Sequence, residues 1–395
     1  MTFNRASINA ASENRPPMFW LNCLLAICLF SPSSAVADDS LRKEQADPQK
    51  VLALPPSTKN PRNSEGDFIR LKDGRLMFAY TRFSGGGGDH DRASIVARFS
   101  TDAGRTWTNE DIEIVANEGD WNVMSVSMLR LQNSEIALFY ARKNSLTDCR
   151  PIMRTSTDEG RTWSEPSVCI TDEVGYYVLN NDRAVQLESG RLVLPVALHN
   201  KSDYPKPDWN GHIMCYLSDD NGKSWQRSKS IMTATDKAGK RLIAQEPGIV
   251  ELKDRRLMMF VRSNAGSQLI SFSNDQGETW SPLVTSNIVS PVSPASIERI
   301  PNTADLFLVW NNHQDVAAEY VNRRTPLNVA ISKDEGKTWR HIKTLADNPS
   351  GWYCYTAVQF VDDHVLLGHC AGDRRKNNGL AETQITRFSL EWLYR

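Results

Sequence analysis

Arginine, carboxylate and tyrosine side chains recur at corresponding positions of a repeated strand–turn–strand pattern. Arg82, Arg142 and Arg262 follow the ends of second strands, and Glu246 and Tyr355 precede first strands. In a hairpin these two positions share one edge of the sheet, so we expect the side chains to converge on one opening. Arginine forks bind carboxylates bidentately, which favours an acidic small molecule or an acidic sugar as ligand. The alternative is a solvated rim whose charges pair with one another.

Five copies of an eight-residue pattern, Ser-x-Asp-x-Gly-x-(Thr/Ser)-Trp, organise the chain that carries these residues. They begin 55–62 residues apart, at Ser100, Ser156, Ser218, Ser273 and Ser332. Regular spacing of this kind is typical of a repeat architecture. Each copy predicts a tight turn, in which Asp and Ser bind turn backbone and Gly supplies a positive φ. We interpret the five copies as scaffold and not as catalytic groups.

Six strand–turn–strand segments alternate with these turns, which indicates six repeating units. They span residues 69–80, 129–140, 185–198, 250–260, 297–310 and 358–369. No 15-residue window after the N-terminus has a helical apolar period strong enough to compete. The pattern therefore predicts an all-β fold over residues 65–395, a six-bladed β-propeller of four-stranded antiparallel sheets. The five Ser-x-Asp-x-Gly turns are its Asp-box turns.

Residues 1–37 have the features of a secretory signal peptide. Arg5 and Arg15 precede an apolar stretch over residues 18–30, and small residues offer a cleavage site near Ala37. A stretch of thirteen residues is too short to span a bilayer, so we expect a secreted or periplasmic protein without a membrane span in the mature chain. Residues 38–64 are polar and contain prolines, which predicts an exposed lead-in segment.

Composition and motifs argue against several kinds of partner. The 46 Lys and Arg residues balance 47 Asp and Glu residues, whereas a nucleic-acid partner requires a basic stripe. The chain has no His-Glu-x-x-His and no Cys-x-x-Cys pattern, so we predict no metal site and no cofactor. The glycine run at residues 85–88 lacks the following Lys-Ser/Thr of a phosphate loop. The oligomeric state stays open.

With these turns and spacings the chain resembles the sialidase (neuraminidase) superfamily, whose members are six-bladed propellers with Asp-boxes. The most specific stretch runs from Glu246 to Arg262, sixteen residues apart, as are the family's Glu and a substrate-binding Arg. Arg324, eight residues before the last box, resembles another member of the family's arginine triad. The segment Tyr-Thr-Ala-Val that begins at Tyr355 resembles the family's late Tyr-Ser-x-Leu.

The resemblance implies an exo-acting glycoside hydrolase that releases a terminal acidic sugar, sialic acid or a relative, from glycoconjugates with retention of configuration. It implies Tyr355 and not Tyr353 as the nucleophile, because Thr-Ala-Val after Tyr355 continues the family's pattern. A neutral phenol, unlike a carboxylate nucleophile, is not repelled by the sugar's own carboxylate. Glu246 would be the base that activates it. Asp89 or Asp91, in the glycine-rich loop, would be the acid/base residue, with a pKa raised by apolar or acidic neighbours.

The chain departs from the family at the first arginine of the triad. The family carries it in a Phe/Tyr-Arg-Ile-Pro motif, where residues 64–68 read Ser-Glu-Gly-Asp-Phe. Arg82, Arg142 or Arg183 would then take the place of this first arginine. The predicted substrate-binding residues are Arg82, Arg183, Arg262 and Arg324. This departure keeps open a second class of protein, a non-catalytic or differently specific glycan-binding propeller.

Two cysteine pairs flank predicted turns symmetrically. Cys149 and Cys169 are equidistant from the second box, and Cys354 and Cys370 are equidistant from the last hairpin turn. Residues equidistant from a hairpin turn face each other across the strands. In an oxidising compartment this predicts that one or both pairs form disulfides and that Cys215 stays free. The alternative is five buried thiols.

Overall fold

The computed structural model describes residues 47–395. The predicted signal peptide and residues 38–46 of the predicted lead-in lie outside these residues. The described chain contains one short α-helix, α1 (Leu390–Tyr394), and 3-10 turns at Ala318–Tyr320 and Arg374–Lys376. None of its helices has the length and apolar character that crossing a bilayer requires.

Strands make up most of the regular structure of residues 47–395. In chain order they are β1 (Gln49–Leu54), β2 (Arg62–Arg70), β3 (Leu76–Phe83), β4 (Ala93–Ser100), β5 (Ile112–Val115), β6 (Asn122–Arg130), β7 (Ile136–Ser145), β8 (Asp148–Ser156), β9 (Ser167–Val168), β10 (Tyr176–Val178), β11 (Val185–Gln186), β12 (Leu192–Asn200), β13 (His212–Ser218), β14 (Gln226–Arg227), β15 (Ala244–Glu251), β16 (Leu257–Ser263), β17 (Ser267–Ser273), β18 (Val284–Val289), β19 (Ser296–Arg299), β20 (Leu306–Trp310), β21 (Leu327–Ser332), β22 (Arg340–Ala346), β23 (Gly351–Val361), β24 (His364–Asp373) and β25 (Thr383–Ser389).

Four of the sheets contain four antiparallel strands each. Their strand orders are β2-β3-β4-β5, β15-β16-β17-β18, β19-β20-β21-β22 and β23-β24-β25-β1. A further sheet of nine strands contains β6 to β14 and is joined where β10 runs parallel to β8 through the pair Tyr176 and Cys149. Contacts between sheets connect β2 with β6, β12 with β15, β15 with β19, β19 with β23, and β23 with β2. The last sheet of the chain therefore adjoins the first.

Residues Gln49–Leu54, expected in an exposed lead-in, form a strand. β1 pairs antiparallel with β25, and the partners run from Gln49 opposite Arg387 to Leu54 opposite Thr383. Val51 and Leu52 pack against the apolar core between this sheet and the first one. The pairing satisfies backbone groups of β25 that would otherwise form an open sheet edge.

Each Ser-x-Asp-x-Gly pattern closes its turn with side-chain hydrogen bonds. In the third copy, Gly222 N donates to Ser218 Oγ at 2.8 Å. Ser224 donates to Asp220 twice, from its main-chain N at 2.9 Å and from its hydroxyl at 2.6 Å. The same set of bonds recurs around Asp102, Asp158, Asp275 and Asp334. The aspartates therefore act on turn backbone, as scaffold residues do.

The glycine of each turn lies against an apolar side chain of a neighbouring sheet or, at Gly222, of the distant strand β8 in the nine-stranded sheet. Gly104 has a φ of 79°, and a Cβ there would come within 2.6 Å of Leu366. Gly222 has a φ of 85°, and a Cβ there would come within 2.2 Å of the Met153 sulfur. Backbone conformation and space thus both require glycine, and the turns fasten neighbouring sheets together.

The free energy of unfolding is expected to fall as the pH drops from about 4 to about 2. Hydrogen bonds from the following Thr or Ser lower the pKa of Asp158, Asp220 and Asp334 to about 2, below the ~3.9 of an unfolded Asp. The unfolded state therefore takes up protons first, so this stabilisation is complete above pH ~4 and is lost as the pH falls through the folded-state pKa. Urea unfolding across this pH range measures the effect. Asp220→Asn should make the pH dependence shallower, and an unchanged dependence in that variant would contradict the assignment.

Candidate active site

Four strands carry a β-bulge near their start, each with a non-glycine residue at positive φ. The φ angles are 55° at Glu65, 61° at Ser125, 51° at Glu246 and 55° at Tyr355, and the strand pairing shifts register at each place. Such a conformation costs about 1–3 kcal/mol and persists where surrounding structure holds it, often at functional sites. All four residues line one cavity of about 290 Å³.

Tyr355, Glu246 and Arg262 form a hydrogen-bonded group in this cavity. The Tyr355 hydroxyl donates to Glu246 Oε1 at 3.1 Å, and Arg262 Nη1 donates to the same oxygen at 2.5 Å. Glu246 Oε2 is buried without a partner in the described chain. Burial, followed by the Glu246 charge, raises the pKa of Tyr355. The site therefore holds a neutral phenol against a carboxylate.

Arg324 completes this side of the cavity from the loop before β21. Its guanidinium lies 5.2 Å from the ring centre of Tyr355 and 5.6 Å from that of Trp352. Its Nη1 donates to Cys354 Sγ at 3.1 Å. Within residues 47–395 it forms no salt bridge to a carboxylate, so its charge is available to an anionic ligand.

Asp89 lines the same cavity, from the glycine-rich loop after β3. Its Oδ1 accepts a hydrogen bond from Arg62 Nη1 at 2.5 Å. Burial raises the pKa of Asp89, but the charges of Arg62 and Lys143 outweigh burial and the net shift is downward. The predicted upward shift is therefore wrong for the free protein, because the neighbours are cations. Asp91 instead accepts from Gly88 N at 2.7 Å, which closes the loop.

Arg62 lies beside Asp89 and Glu65, a position that the spacing of residues along the sequence did not predict. It is 2% exposed, and its Nη2 donates to Glu65 Oε1 at 2.9 Å while Nη1 holds Asp89. Its guanidinium lies 4.6 Å from the ring centre of Phe83. Arg62 lies opposite Phe83 on β3, just before the bulge between Ser64 and Asp67, and from there it reaches both the bulged Glu65 and the Asp89 loop. The pattern Arg-x-x-Glu before the first hairpin is the signal that identifies it.

Arg82 and Arg183 do not line the cavity, contrary to the prediction. Arg82, on β3, pairs with Asp111 at 3.3 Å and with Glu113 of β5 at 3.9 Å, across the intervening strand β4. Arg183 is 3% exposed, donates to Ala295 O at 2.6 Å and lies over the ring of Phe260. Both side chains therefore have protein partners outside the cavity. Arg142 does not line the cavity either.

Other lining residues define the remaining wall. His199 is buried with Nδ1 3.1 Å from Asp208 O, which can only accept, so Nδ1 carries the hydrogen. Burial lowers the pKa of His199, which leaves Nε2 as a neutral acceptor. Trp209 is 49% exposed, and its ring centre lies 5.5 Å from that of His199 and 6.0 Å from that of Tyr176. An aromatic border thus flanks the polar cavity.

The five cysteines of the described chain are free thiols, so the predicted disulfides are not formed. Cys354 and Cys370 do lie directly opposite each other on β23 and β24. Cys149 instead lies opposite Lys143, and β9 ends before Cys169. Cys149 and Cys169 are therefore not partners across a ladder, although Ile152 and Val168 nearer the same turn are. Across residues 47–395 no group of three or more His, Cys, Asp or Glu is placed to hold a metal ion.

The described chain consists of antiparallel sheets linked by repeated Ser-x-Asp turns, and its cavity holds a phenol hydrogen-bonded to a carboxylate. These features define a β protein built from repeated units. The chain belongs to the BNR repeat-like domain family, whose model matches residues 83–367.

Its relatives include sialidases at low identity. A sialidase of Bacteroides fragilis is 28% identical over 229 residues, which are 54% of this chain and 38% of the relative. A sialidase of Micromonospora viridifaciens is 24% identical over 344 residues, 78% of this chain and 50% of the relative. The chain thus spans half or less of these relatives. The NanB sialidase structure from Streptococcus pneumoniae has the same fold, with a TM-score of 0.65, 16% identity and coverage of 90% of this chain and 73% of that one. The chain is thus a BNR repeat-like protein that is similar to sialidases at low identity.

Proposed function

We propose that the protein is an exo-acting glycoside hydrolase of the sialidase type. It releases a terminal acidic sugar, sialic acid or a relative, from glycoconjugates with retention of configuration. The observation that carries this proposal is the 3.1 Å hydrogen bond from the Tyr355 hydroxyl to Glu246, beside Arg262 and Arg324. A pure binding module has no need of a nucleophile with its own base. The sialidase relatives at 24% and 28% identity support the class.

The proposed scaffold is a six-bladed propeller with five Asp-box turns. The nine-stranded sheet then corresponds to two blades joined at Tyr176 and Cys149, and β1 completes the sixth blade. We also propose export to a secreted or periplasmic location, from the pattern of residues 1–37. Such a location gives the enzyme access to glycoconjugates.

In the proposed mechanism Glu246 takes the Tyr355 proton as the phenolic oxygen bonds to the anomeric carbon. The bond to the leaving oxygen breaks, and Asp89 protonates that oxygen. Asp89 then takes a proton from water, which displaces Tyr355, and Glu246 returns the proton to the phenol. An anionic sugar beside Asp89 opposes the influence of Arg62 and Lys143, which favours the protonated acid when substrate is bound.

One observation favours the second candidate, a glycan-binding propeller. Arg62 is held by two carboxylates, Glu65 and Asp89, whereas Arg262 pairs with Glu246 alone and Arg324 with no carboxylate of the described chain, so Arg262 and Arg324 remain for a substrate carboxylate. Two arginines provide weaker transition-state stabilisation than three. Binding without turnover is compatible with this smaller set.

A panel of fluorogenic glycosides tests the proposal. We expect the mature protein to release the fluorophore from a sialoside, a 2-keto-3-deoxy-sugar glycoside or a uronide, and not from the matched neutral hexosides. The arginines bind carboxylates and provide no preference for a neutral sugar. Absence of release from every acidic glycoside across a range of pH, with the protein folded, would favour the binding candidate.

A further inference from the structure

Lys143 is a buried cation that lines the cavity without a carboxylate partner. It lies near the end of β7 and is 6% exposed. Its ammonium donates to the main-chain oxygen of Asp89 at 3.1 Å and lies 5.6 Å from the ring centre of Tyr176. Within residues 47–395 it forms no salt bridge. Burying a charge is costly unless an opposite charge accompanies it, so the missing counter-ion points to a ligand.

The carboxylates nearest to Lys143 already have other partners. Glu65 accepts from Arg62 and from the Ser125 hydroxyl, and the Asp89 carboxylate accepts from Arg62. Lys143 is therefore not needed to satisfy either one. Asn180 also lines the cavity, is 2% exposed, and its side-chain nitrogen has no hydrogen-bond partner within the described chain. Lys143 and Asn180, here the Lys143 subsite, thus provide a cation without a carboxylate partner and a free N–H donor in the lining of one cavity.

The balance of charge around the cavity favours more than one negative charge on the ligand. Three carboxylates (Glu65, Asp89 and Glu246) and three cations (Lys143, Arg262 and Arg324) line the cavity. A fourth cation, the buried Arg62, pairs with two of these carboxylates, Glu65 and Asp89. When Asp89 carries the proton that it must deliver, two carboxylates remain and the positive excess is two charges. A sugar with a single carboxylate neutralises one of these. Of the four cations, Arg324 and Lys143 are the two that have no carboxylate partner in the described chain. The second excess charge therefore lies at Lys143.

We propose that the Lys143 subsite binds a second oxyanion substituent, so that the substrate class is an acidic sugar with two anionic groups. The carboxylate lies at Arg262 and Arg324, and a sulfate, phosphate or second carboxylate group lies at Lys143. The placement of the first carboxylate rests on the proposed function. No hydrogen bond within the described chain joins Lys143 to the group formed by Tyr355, Glu246 and Arg262.

Calorimetric titration with N-acetylneuraminic acid and with its mono-O-sulfate esters tests this proposal. We expect the protein to bind at least one ester about tenfold more tightly than the parent acid, as a charge-assisted hydrogen bond provides. Lys143→Gln should remove this preference. Lys201→Gln is the matched control, because Lys201 pairs with Glu173 at 2.7 Å away from the cavity, and it should keep the preference.

Equal affinity for the acid and all its esters, or a preference that survives in Lys143→Gln, would overturn the proposal. Glycoside hydrolysis is scored separately from this binding assay. A Lys143-dependent preference without hydrolysis would contradict the proposed function and support the subsite. Hydrolysis of a sialoside, together with equal affinities for the acid and its esters, would support the proposed function and contradict the subsite. Repeating the titration with phosphate esters identifies which oxyanion is preferred.

Discussion

Tyr355→Phe is expected to lower kcat by about three orders of magnitude or more while the fold is retained. The change removes the hydroxyl that donates to Glu246 at 3.1 Å and keeps the ring beneath the Arg324 guanidinium. Without the hydroxyl no covalent intermediate forms, and Glu246 has no proton to take. Steady-state kinetics on the glycoside that the panel identifies measures the loss, and circular dichroism checks the fold.

Tyr353→Phe is the matched control for this experiment. Tyr353 lies two residues earlier on β23 and is 9% exposed, but it does not line the cavity. Its variant should stay within a few-fold of wild type. Glu246→Gln should reduce kcat about as much as Tyr355→Phe, and the double variant should lose little more, because the two residues act as one unit. Tyr355→Phe activity within a few-fold of wild type would refute the tyrosyl mechanism and favour a carboxylate pair.

Arg62→Met is expected to reduce the free energy of unfolding by about 3–5 kcal/mol. Arg62 is 2% exposed and Glu65 is 5% exposed, so the variant leaves a buried carboxylate without its cation. The Asp89 side chain is 58% exposed and can be solvated, so most of the cost arises at Glu65. Urea unfolding at neutral pH measures the change.

A double variant separates this ion pair from simple loss of packing. Arg62→Met combined with Glu65→Gln removes both charges, so we expect it to regain more than about 1 kcal/mol relative to Arg62→Met alone. Arg82→Met is the control, because its ion pairs with Asp111 and Glu113 are partly exposed and should contribute less than about 1 kcal/mol. No recovery in the double variant would mean that packing on Phe83 accounts for the loss.

Repetition within short stretches made much of the fold and part of the site predictable. The turn patterns depend on hydrogen bonds between residues no more than four positions apart, such as Asp220 and Ser224. Glu246 and Arg262 belong to one hairpin, in which Gln245 lies opposite Arg262. Their spacing of sixteen residues therefore already implies contact. The strands, the turns and this pair depend on contacts between residues that are close together in the sequence, so the sequence alone predicts them.

Only the tertiary structure decided which charged residues reach the cavity. Arg62 reaches Asp89, 27 positions away in the sequence, while Arg82 occupies a strand end and pairs with Asp111 instead. Lys143 and Asn180 carry no motif, and they line the cavity because separate strands meet there. The pairing of β1 with β25 joins residues more than 300 positions apart. The amino-acid sequence by itself determined the repeating strands, the turns and the Glu246–Arg262 hairpin. Bulges, strand faces and long-range pairing decided the rest, because each depends on contacts between distant segments that local spacing does not record.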